Sequence, residues 1–263
     1  MIKLFRNIRQ KLLSENKFSK YLIYAIGEVV LVVIGILIAI NVNNYNEKQK
    51  HEVKITEALN IIHRELSEDI KEANETIEFY RLKDTLINFI MTNELSEKDF
   101  LGDKRMDYAS VGSNVSDMII NTNGFELLMA NSEKAPRKYQ GLLESLKEVY
   151  ESDKEYLERS NNNLDEIVKD YLSYLDKNKE WSHQLLYFRK IDDSAIDFYL
   201  DDAAYKNHLA SYQSSAISNF YADLHNFRIH AEDVYDRLTD LLQLRDEIAS
   251  DSTYYSYNSQ DFL

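Results

Sequence analysis

Residues 21–41 read YLIYAIGEVVLVVIGILIAIN, an apolar stretch that decides the architecture of the chain. At a rise of about 1.5 Å per residue, roughly twenty helical residues cross the hydrocarbon core of a bilayer, which is about 30 Å thick. Thirteen residues of the stretch are Leu, Ile or Val. Each of them contributes an insertion free energy of about −0.3 to −0.6 kcal/mol. Their sum outweighs the cost of about 2.5–3.5 kcal/mol for Glu28, the one charged residue. The sequence therefore predicts a transmembrane helix over residues 21–41.

A cleaved signal peptide is the competing interpretation of this segment. However, the apolar core is longer than the h-region of a signal peptide, which has about 7–15 residues. The following residues, Asn41-Val-Asn-Asn-Tyr-Asn46, also lack a clear small-x-small cleavage site. We therefore expect an uncleaved anchor that contacts the lipid bilayer.

The charges before and after the span differ in sign. Residues 1–20 carry six Lys and Arg against Glu15, a balance of +5. Subtracting this and the −1 of Glu28 from the total of −14 leaves −18 for the residues after the span. Six basic residues precede the span, and only Lys48, Lys50 and Lys54 follow it closely. Because basic residues near a span favour the cytoplasm, we expect a cytoplasmic leader over residues 1–20 and the rest of the chain across the membrane.

Beyond the span the sequence predicts an all-α fold. The chain has one proline and six glycines, too few for the tight turns of a many-stranded sheet. Apolar residues recur at intervals of three and four, which predicts amphipathic helices. The predicted helices cover residues 47–93, 114–130 with an interruption near 121–124, 136–175, 181–191 and 201–249, with a loop over 93–112. The expected fold is one N-terminal transmembrane helix followed by an elongated antiparallel helical bundle, as a domain over residues 42–249 with a polar, Tyr-rich tail over 250–263.

The sequence contains no motif of a catalytic or metal site. Without cysteine it cannot form a disulfide, a zinc–thiolate site or a thiol nucleophile, and it lacks a phosphate-binding glycine loop, a nucleophile elbow and a zinc-binding HExxH helix. Glu180 and His183 have di-iron spacing, but such a site needs a second copy and two further glutamates. The acidic charge argues against nucleic-acid binding. We assign no catalytic residue and no cofactor, and no metal ligand among His63, His208, His225 and His230, which fall on polar helix faces or their edges.

Glu28 is the candidate functional residue of the span, because an ionisable side chain inside a membrane is costly. Ala25, Glu28, Val32, Gly35 and Ala39 follow one another at intervals of three and four, which places them in one stripe of a helix. Small residues let helix backbones approach closely in lipid. We therefore expect this stripe to associate with a second copy of the chain or with another membrane protein. The Glu28 carboxyl is then either proton-linked, or a protonated group that hydrogen-bonds between helices or reaches the headgroups.

Two stretches near the start of the chain carry a family resemblance, SKYLIYAIGEVVLVVIGILIA at residues 19–39 and NNYNE at residues 43–47. They closely resemble an uncharacterised family of single-pass membrane proteins from Gram-negative bacteria, which have the same basic leader and the same YAIGE start of the span. Tyr45 stands where that family has Trp, and both are aromatic residues of membrane interfaces. Weaker similarity follows at NGFELL, residues 123–128. The resemblance implies an inner-membrane anchor with a periplasmic domain, and it implies no known activity.

This architecture predicts a non-enzymatic scaffold or accessory subunit of a bacterial inner-membrane complex, which associates through its span and its periplasmic bundle. One alternative is a periplasmic sensor, because chemoreceptor ligand domains are also antiparallel helical bundles beyond one span. The leader has no output module, so a sensor would have to signal through a partner. A stator-like, proton-linked subunit that uses Glu28 is another alternative. An enzyme is the last, since it would need an acid–base pair inside the bundle.

Overall fold

The computed structural model describes residues 18–92, 95–102, 105–132 and 137–244. Of these residues 87% are helical and none forms a strand, which confirms an all-α protein with a long, apolar N-terminal helix. The chain divides into two compact units, Met1–Ile55 and Thr56–Leu263. The expectations for most of the leader, for Pro136 and for the tail over residues 250–263 lie outside the described residues.

Helix α1 runs from Phe18 to Met91 without a break. The sequence predicts two helices here, a span that ends at residue 41 and an amphipathic helix that begins at residue 47. The structure joins them, because the intervening residues Val42-Asn-Asn-Tyr-Asn46 contain neither proline nor glycine. Asparagine costs a helix only up to about 0.7 kcal/mol per residue, so it does not stop one.

Residues 92–132 differ most from the prediction. The expected loop over 93–112 contains a 3-10 helix, Glu97–Leu101, and helix α2, Arg105–Ser110. The helix expected over 114–130 is wrong in its first half, because residues 111–122 form no helix and helix α3 covers only Asn123–Met129. The physical reason is that side chains of other helices bind the backbone of residues 111–122.

Two long helical segments and a short helix between them make up the rest of the described chain. The first segment comprises a 3-10 turn Arg137–Tyr139, helix α4 Gln140–Lys147, a π turn Glu148–Asp153 and helix α5 Lys154–Asn178. Helix α6, Ser182–Phe188, follows it. The second segment comprises helices α7 Asp193–Asp201 and α8 Ala203–Ser215, a π turn Ala216–Phe220 and helix α9 Tyr221–Leu242.

The predicted helix over 201–249 therefore has a different start. Helical structure begins earlier, with α7, and is interrupted at Asp202, which has an extended backbone. The Asp202 side chain accepts a hydrogen bond from the Ala204 N–H at 2.8 Å, and such an N-cap satisfies a backbone donor that the first turn leaves without a partner. Asp202 thus ends α7 and starts α8.

Contacts within the second unit give the directions of its long helices. Between α4–α5 and α8–α9 the contacting pairs are Ser145–Arg237, Asp153–His230 and Tyr171–His208. Between α1 and α8–α9 they are His63–Thr239 and Asp84–Gln213. In both sets the residue number falls on one helix as it rises on the other. The α8–α9 segment therefore runs antiparallel to both of its neighbours.

The core of this unit is rich in aromatic side chains. Its largest fully buried residues include Tyr80, Tyr199, Tyr205, Tyr212, Phe220 and Phe227. The rings of Tyr80 and Phe220, for example, meet edge to face with centroids 5.3 Å apart. Each such ring removes about 150–250 Å² from water, so these residues contribute a large share of the buried area of the second unit.

Candidate functional site

The apolar part of α1 is not covered by the described chain. From Leu22 to Val42, its Leu, Ile and Val side chains are 47–69% exposed. The most apolar window of this helix has a mean hydropathy of 2.6, and none of it is buried. A core helix of a soluble protein would bury such residues against neighbouring elements. Helix α1 is therefore long and apolar enough to span a membrane.

The five predicted association residues, Ala25, Glu28, Val32, Gly35 and Ala39, lie on this uncovered helix. At about 100° of rotation per residue they fall within about 80° of arc, on one side of α1. A Cβ atom added at Gly35 would meet no atom within 4 Å, so the backbone there is accessible to a second helix. Association through this stripe stays a prediction.

A second candidate site lies in the other unit, where one side of α1 binds an extended piece of chain. We call residues 111–124 the clamped segment. Four polar residues of α1 bond to it, namely Glu65, Asp69, Tyr80 and Lys83. Their positions fall within about 60° of arc on the helix. Lys83 bonds to the start of the clamped segment and Glu65 to its end, so the segment runs antiparallel to α1.

Glu65 binds the end of the clamped segment. Its carboxylate accepts hydrogen bonds from the Asn123 side-chain amide at 3.1 Å and from the Gly124 backbone N–H at 2.9 Å. The first-turn N–H groups of a helix have no acceptor within that helix, and Glu65 supplies one for α3. Only glycine fits at position 124, because a Cβ atom there would lie 2.7 Å from the backbone nitrogen of Ile62.

Asp69 binds the preceding turn of the clamped segment and is fully buried. It accepts hydrogen bonds from the Asn121 side-chain amide at 2.6 Å and from the Asn121 backbone N–H at 3.2 Å. Burial raises the pKa of the Asp69 carboxyl to about 7, although the bonds from Asn121 oppose this shift. One turn of α1 thus carries two buried carboxyl groups whose hydrogen-bond donors come from the clamped segment.

Tyr80 and Lys83 bind the first half of the segment. The Tyr80 hydroxyl accepts from the Ser116 N–H at 3.0 Å. The Lys83 ammonium donates to the carbonyl of Val111, to the carbonyl of Asn114 at 3.1 Å and to the side-chain oxygen of Asn114 at 2.6 Å. Lys83 is buried, and this burial lowers its pKa to about 7. All three acceptors are carbonyl oxygens of the clamped segment.

Helix α8 closes over the same stretch from the other side. The Tyr212 hydroxyl donates to the Asn114 carbonyl at 2.8 Å, and Nε2 of His208 lies 2.7 Å from the Gly112 carbonyl. The His208 ring stacks on Tyr171 with centroids 3.7 Å apart, and burial lowers the pKa of its imidazole to about 4. His208 is thus a neutral donor inside the unit, where the sequence predicts a histidine at the edge of a polar face.

A cleft of about 640 Å³ opens beside the clamped segment. Its lining residues are Glu68, Lys71, Glu72, Glu75, Thr76 and Phe79 of α1 with Ser116 and Asp117 of the segment. Four of them are acidic, and Lys71 is paired with Glu75 at 3.9 Å. Carboxylates beside an aromatic ring suit a cationic group of a ligand or partner. From the sequence, a run of charges on a helix is expected to be its solvated side, and the cleft is not predicted.

The structure shows what the other histidines considered as metal ligands contact. Nδ1 of His183 lies 2.9 Å from the backbone carbonyl of Glu180, so this ring nitrogen contacts the backbone of Glu180 rather than its carboxylate. His63 stacks on Tyr235 with ring centroids 4.2 Å apart. His230 faces a carboxylate of another helix, Asp153, at 2.8 Å. No local signal in the sequence could connect these two residues, because they lie 77 positions apart.

Residues 28–127 match the sequence profile of a family of unknown function, DUF6090. The matched region contains most of the apolar stretch of α1, the whole clamped segment and every residue that lines the cleft. The match supports the resemblance to an uncharacterised family. No curated protein and no solved structure shows significant similarity to the chain.

Proposed function

We propose that the protein is a non-enzymatic, membrane-anchored scaffold or accessory subunit of a bacterial inner-membrane complex. The basic leader is cytoplasmic, the apolar part of α1 crosses the membrane once, and the following residues form a periplasmic domain. The long helices of that domain pack as an elongated antiparallel bundle. The protein associates with a second copy or with another membrane protein through the stripe in its span and through the helical domain.

The observation that carries this proposal is the uncovered apolar surface of α1. Fourteen Leu, Ile and Val side chains between Leu22 and Val42 are about half exposed or more. Full burial of such a side chain is worth about 1.5–3 kcal/mol, and in water each would forfeit a large part of it, so lipid is the solvent that fits them. The charge balance of +5 before the span and −18 after it supports the orientation.

The same helix that carries the apolar surface also binds the clamped segment, because α1 is continuous from Phe18 to Met91. The match to residues 28–127 covers both parts. An anchor joined by one helix to a segment held by side-chain hydrogen bonds is suited to presenting that segment, and the cleft beside it, to a partner. This arrangement supports a scaffold rather than a free enzyme.

Two alternatives rest on specific observations. Glu28 within the apolar stretch favours a proton-linked subunit of the stator type. The acidic cleft favours a periplasmic sensor that binds a cationic ligand and signals through a partner. A Glu28→Gln variant that still assembles but has lost the function of the protein in the cell would support the first alternative. A small molecule that protects the cleft residues from hydrogen exchange would support the second.

Fusion of a reporter enzyme after Leu263 tests the orientation. We expect activity from a reporter that needs disulfides, which form only outside the cytoplasm. Replacing the six basic residues of the leader by Gln should reduce this activity, because they supply the charge asymmetry. The matched control replaces Lys48, Lys50 and Lys54 by Gln and should leave the activity intact. A silent fusion in a stably expressed chain would disprove the orientation.

Photo-crosslinking in native membranes tests association through the stripe. A photoreactive residue at Val32 lies near the middle of the stripe, whereas one at Val30 lies about 180° away on the same helix. We expect adducts from position 32 and far fewer from position 30. The mass of the adduct distinguishes a second copy from another protein. Equal yields at both positions, or none at either, would contradict the proposed surface.

A further inference from the structure

Three potential metal ligands meet between the π turn Glu148–Asp153 and helix α9. Nδ1 of His230 lies 2.8 Å from a carboxylate oxygen of Asp153. Glu148 provides a second carboxylate, and one ligand atom from each of the three residues lies within 4.8 Å of the other two. None of these residues takes part in the stripe, the clamped segment or the cleft.

The π turn brings the two carboxylates together. In an α-helix, residues five positions apart are about 140° apart and face different sides. A π turn is hydrogen-bonded from residue i to residue i+5, and its wider ring returns residue i+5 to the side of residue i. Glu148 and Asp153 are the first and last residues of this turn. Both therefore face His230, and a regular α-helix with the same sequence would separate them.

The chemistry of the three groups matches a borderline transition metal. Zn²⁺ binds imidazole nitrogen and carboxylate oxygen at about 2.0–2.2 Å, whereas Mg²⁺ and Ca²⁺ prefer oxygen alone. The Asp153 side chain is 5% exposed and that of His230 is 43% exposed. One ligand is thus fixed by packing and another is open to solvent, so an ion can enter the folded protein.

We propose that Glu148, Asp153 and His230 form a site for a divalent metal ion, with preference for Zn²⁺. The ion takes the place of the hydrogen bond between His230 and Asp153 and leaves at least one coordination position for water. It crosslinks the α4–α5 segment to the antiparallel helix α9 and so stabilises their packing. This role does not depend on the membrane anchor or on the proposed scaffold function.

Zn²⁺ titration of the full chain in detergent micelles tests the site. The protein carries no histidine tag, is stripped with a chelator and then competes with a chromophoric chelator for the metal. We expect one Zn²⁺ per chain. Glu148→Gln and His230→Gln should each weaken binding at least tenfold, because each removes one of three ligands. Glu151→Gln in the same turn and His183→Gln on α6 are the matched controls and should bind as the unchanged chain does.

Thermal unfolding gives a second, independent measurement. Zn²⁺ should raise the unfolding midpoint of the unchanged chain and of both controls by several degrees, because it binds only the folded state. It should raise that of Glu148→Gln and His230→Gln much less. Absence of stoichiometric binding, or equal affinity in the controls and the ligand variants, would show that His230 and Asp153 form a hydrogen bond only. Mn²⁺ should bind more weakly than Zn²⁺, and the reverse order would contradict the preference.

Discussion

Replacement of Gly124 by alanine tests whether the clamped segment is held against α1 as the structure shows. A Cβ atom at this position would lie 2.7 Å from the backbone nitrogen of Ile62, 2.8 Å from its Cγ1 and 3.0 Å from Oε2 of Glu65. Real Cβ atoms essentially never approach another atom within 3.0 Å. Because one of these atoms belongs to the backbone of α1, the start of α3 has to move away from α1.

This movement has two costs. Forcing an extra methyl group into a packed interface costs about 1–3 kcal/mol. The shift also lengthens the bond from the Gly124 N–H to Glu65, which is now 2.9 Å long, and a buried group that loses a partner costs about 1–3 kcal/mol. Both costs arise from one displacement, so they do not add fully. We expect Gly124→Ala to lower the free energy of unfolding by about 2–4 kcal/mol.

Urea unfolding of the full chain in detergent measures this change. Trp181 is the only tryptophan of the chain, and its ring packs on Phe198 with centroids 5.4 Å apart, so its fluorescence reports unfolding of the second unit. The matched control is Gly141→Ala in α4, where the nearest atom to an added Cβ is 3.9 Å away. The control should be more stable by up to about 1 kcal/mol. If both variants are as stable as the unchanged chain, the close approach of Gly124 to α1 is wrong.

Three further predictions concern Asp69, Lys83 and the stripe. Because burial raises the pKa of Asp69 from 3.8 to about 7, the folded chain retains a proton that the unfolded chain loses, so stability should fall between about pH 4 and 7. Asp69→Asn should flatten this decline in a series of urea titrations. Burial lowers the pKa of Lys83 from 10.5 to about 7, so the unfolded chain binds the extra proton above pH 7 and stability should rise from there towards pH 10. Lys83→Met should abolish that rise and lower the free energy of unfolding by about 1–3 kcal/mol at pH 9, because the carbonyl groups lose their hydrogen-bond donor. If the variant keeps the rise, the rise does not come from Lys83. Gly35→Leu should reduce the Val32 crosslink severalfold, because a larger side chain prevents close approach of two helices, and Glu28→Gln should preserve it if the carboxyl only hydrogen-bonds.

The helices could be predicted from the sequence, because helical periodicity is a local property of the chain. The clamped segment could not. Its buried and exposed residues alternate, with Met118 and Ile120 each 7% exposed and Ile119 77% exposed. This alternation is the pattern of an extended chain, but it covers too few residues to be distinguished from one turn of an apolar helix. What excludes the helix is the set of side chains that bind the backbone, and those side chains come from α1 and α8.

The candidate sites in the second unit could not be predicted from the sequence for a related reason. Charged residues on a helix are usually solvated, and nothing local distinguishes Glu65, Asp69 and Lys83 from the exposed Glu and Lys residues of α1. Their burial depends on the clamped segment, which begins 28 residues after Lys83. The cluster of Glu148, Asp153 and His230 depends instead on a π turn, which apolar spacing does not predict. The stripe in the span is different, because it is defined by one helix alone and therefore follows from spacing.

The hydrogen bonds of the clamped segment show which helix sets its register. The Asn114 carbonyl accepts from both Lys83 of α1 and Tyr212 of α8, so either helix alone can hold the start of the segment. At the end of the segment, the bonds to the N–H groups of Asn121 and Gly124 come from α1 alone. Among these contacts, the two backbone N–H groups at that end have no second acceptor. A shift of the segment by one residue would place a residue with a Cβ atom beside Ile62, where only glycine fits. Helix α1 therefore fixes the register, and α8 adds contacts to the start of the segment. The family match to residues 28–127 includes α1 from Glu28 onward and the whole clamped segment, and it ends before α8.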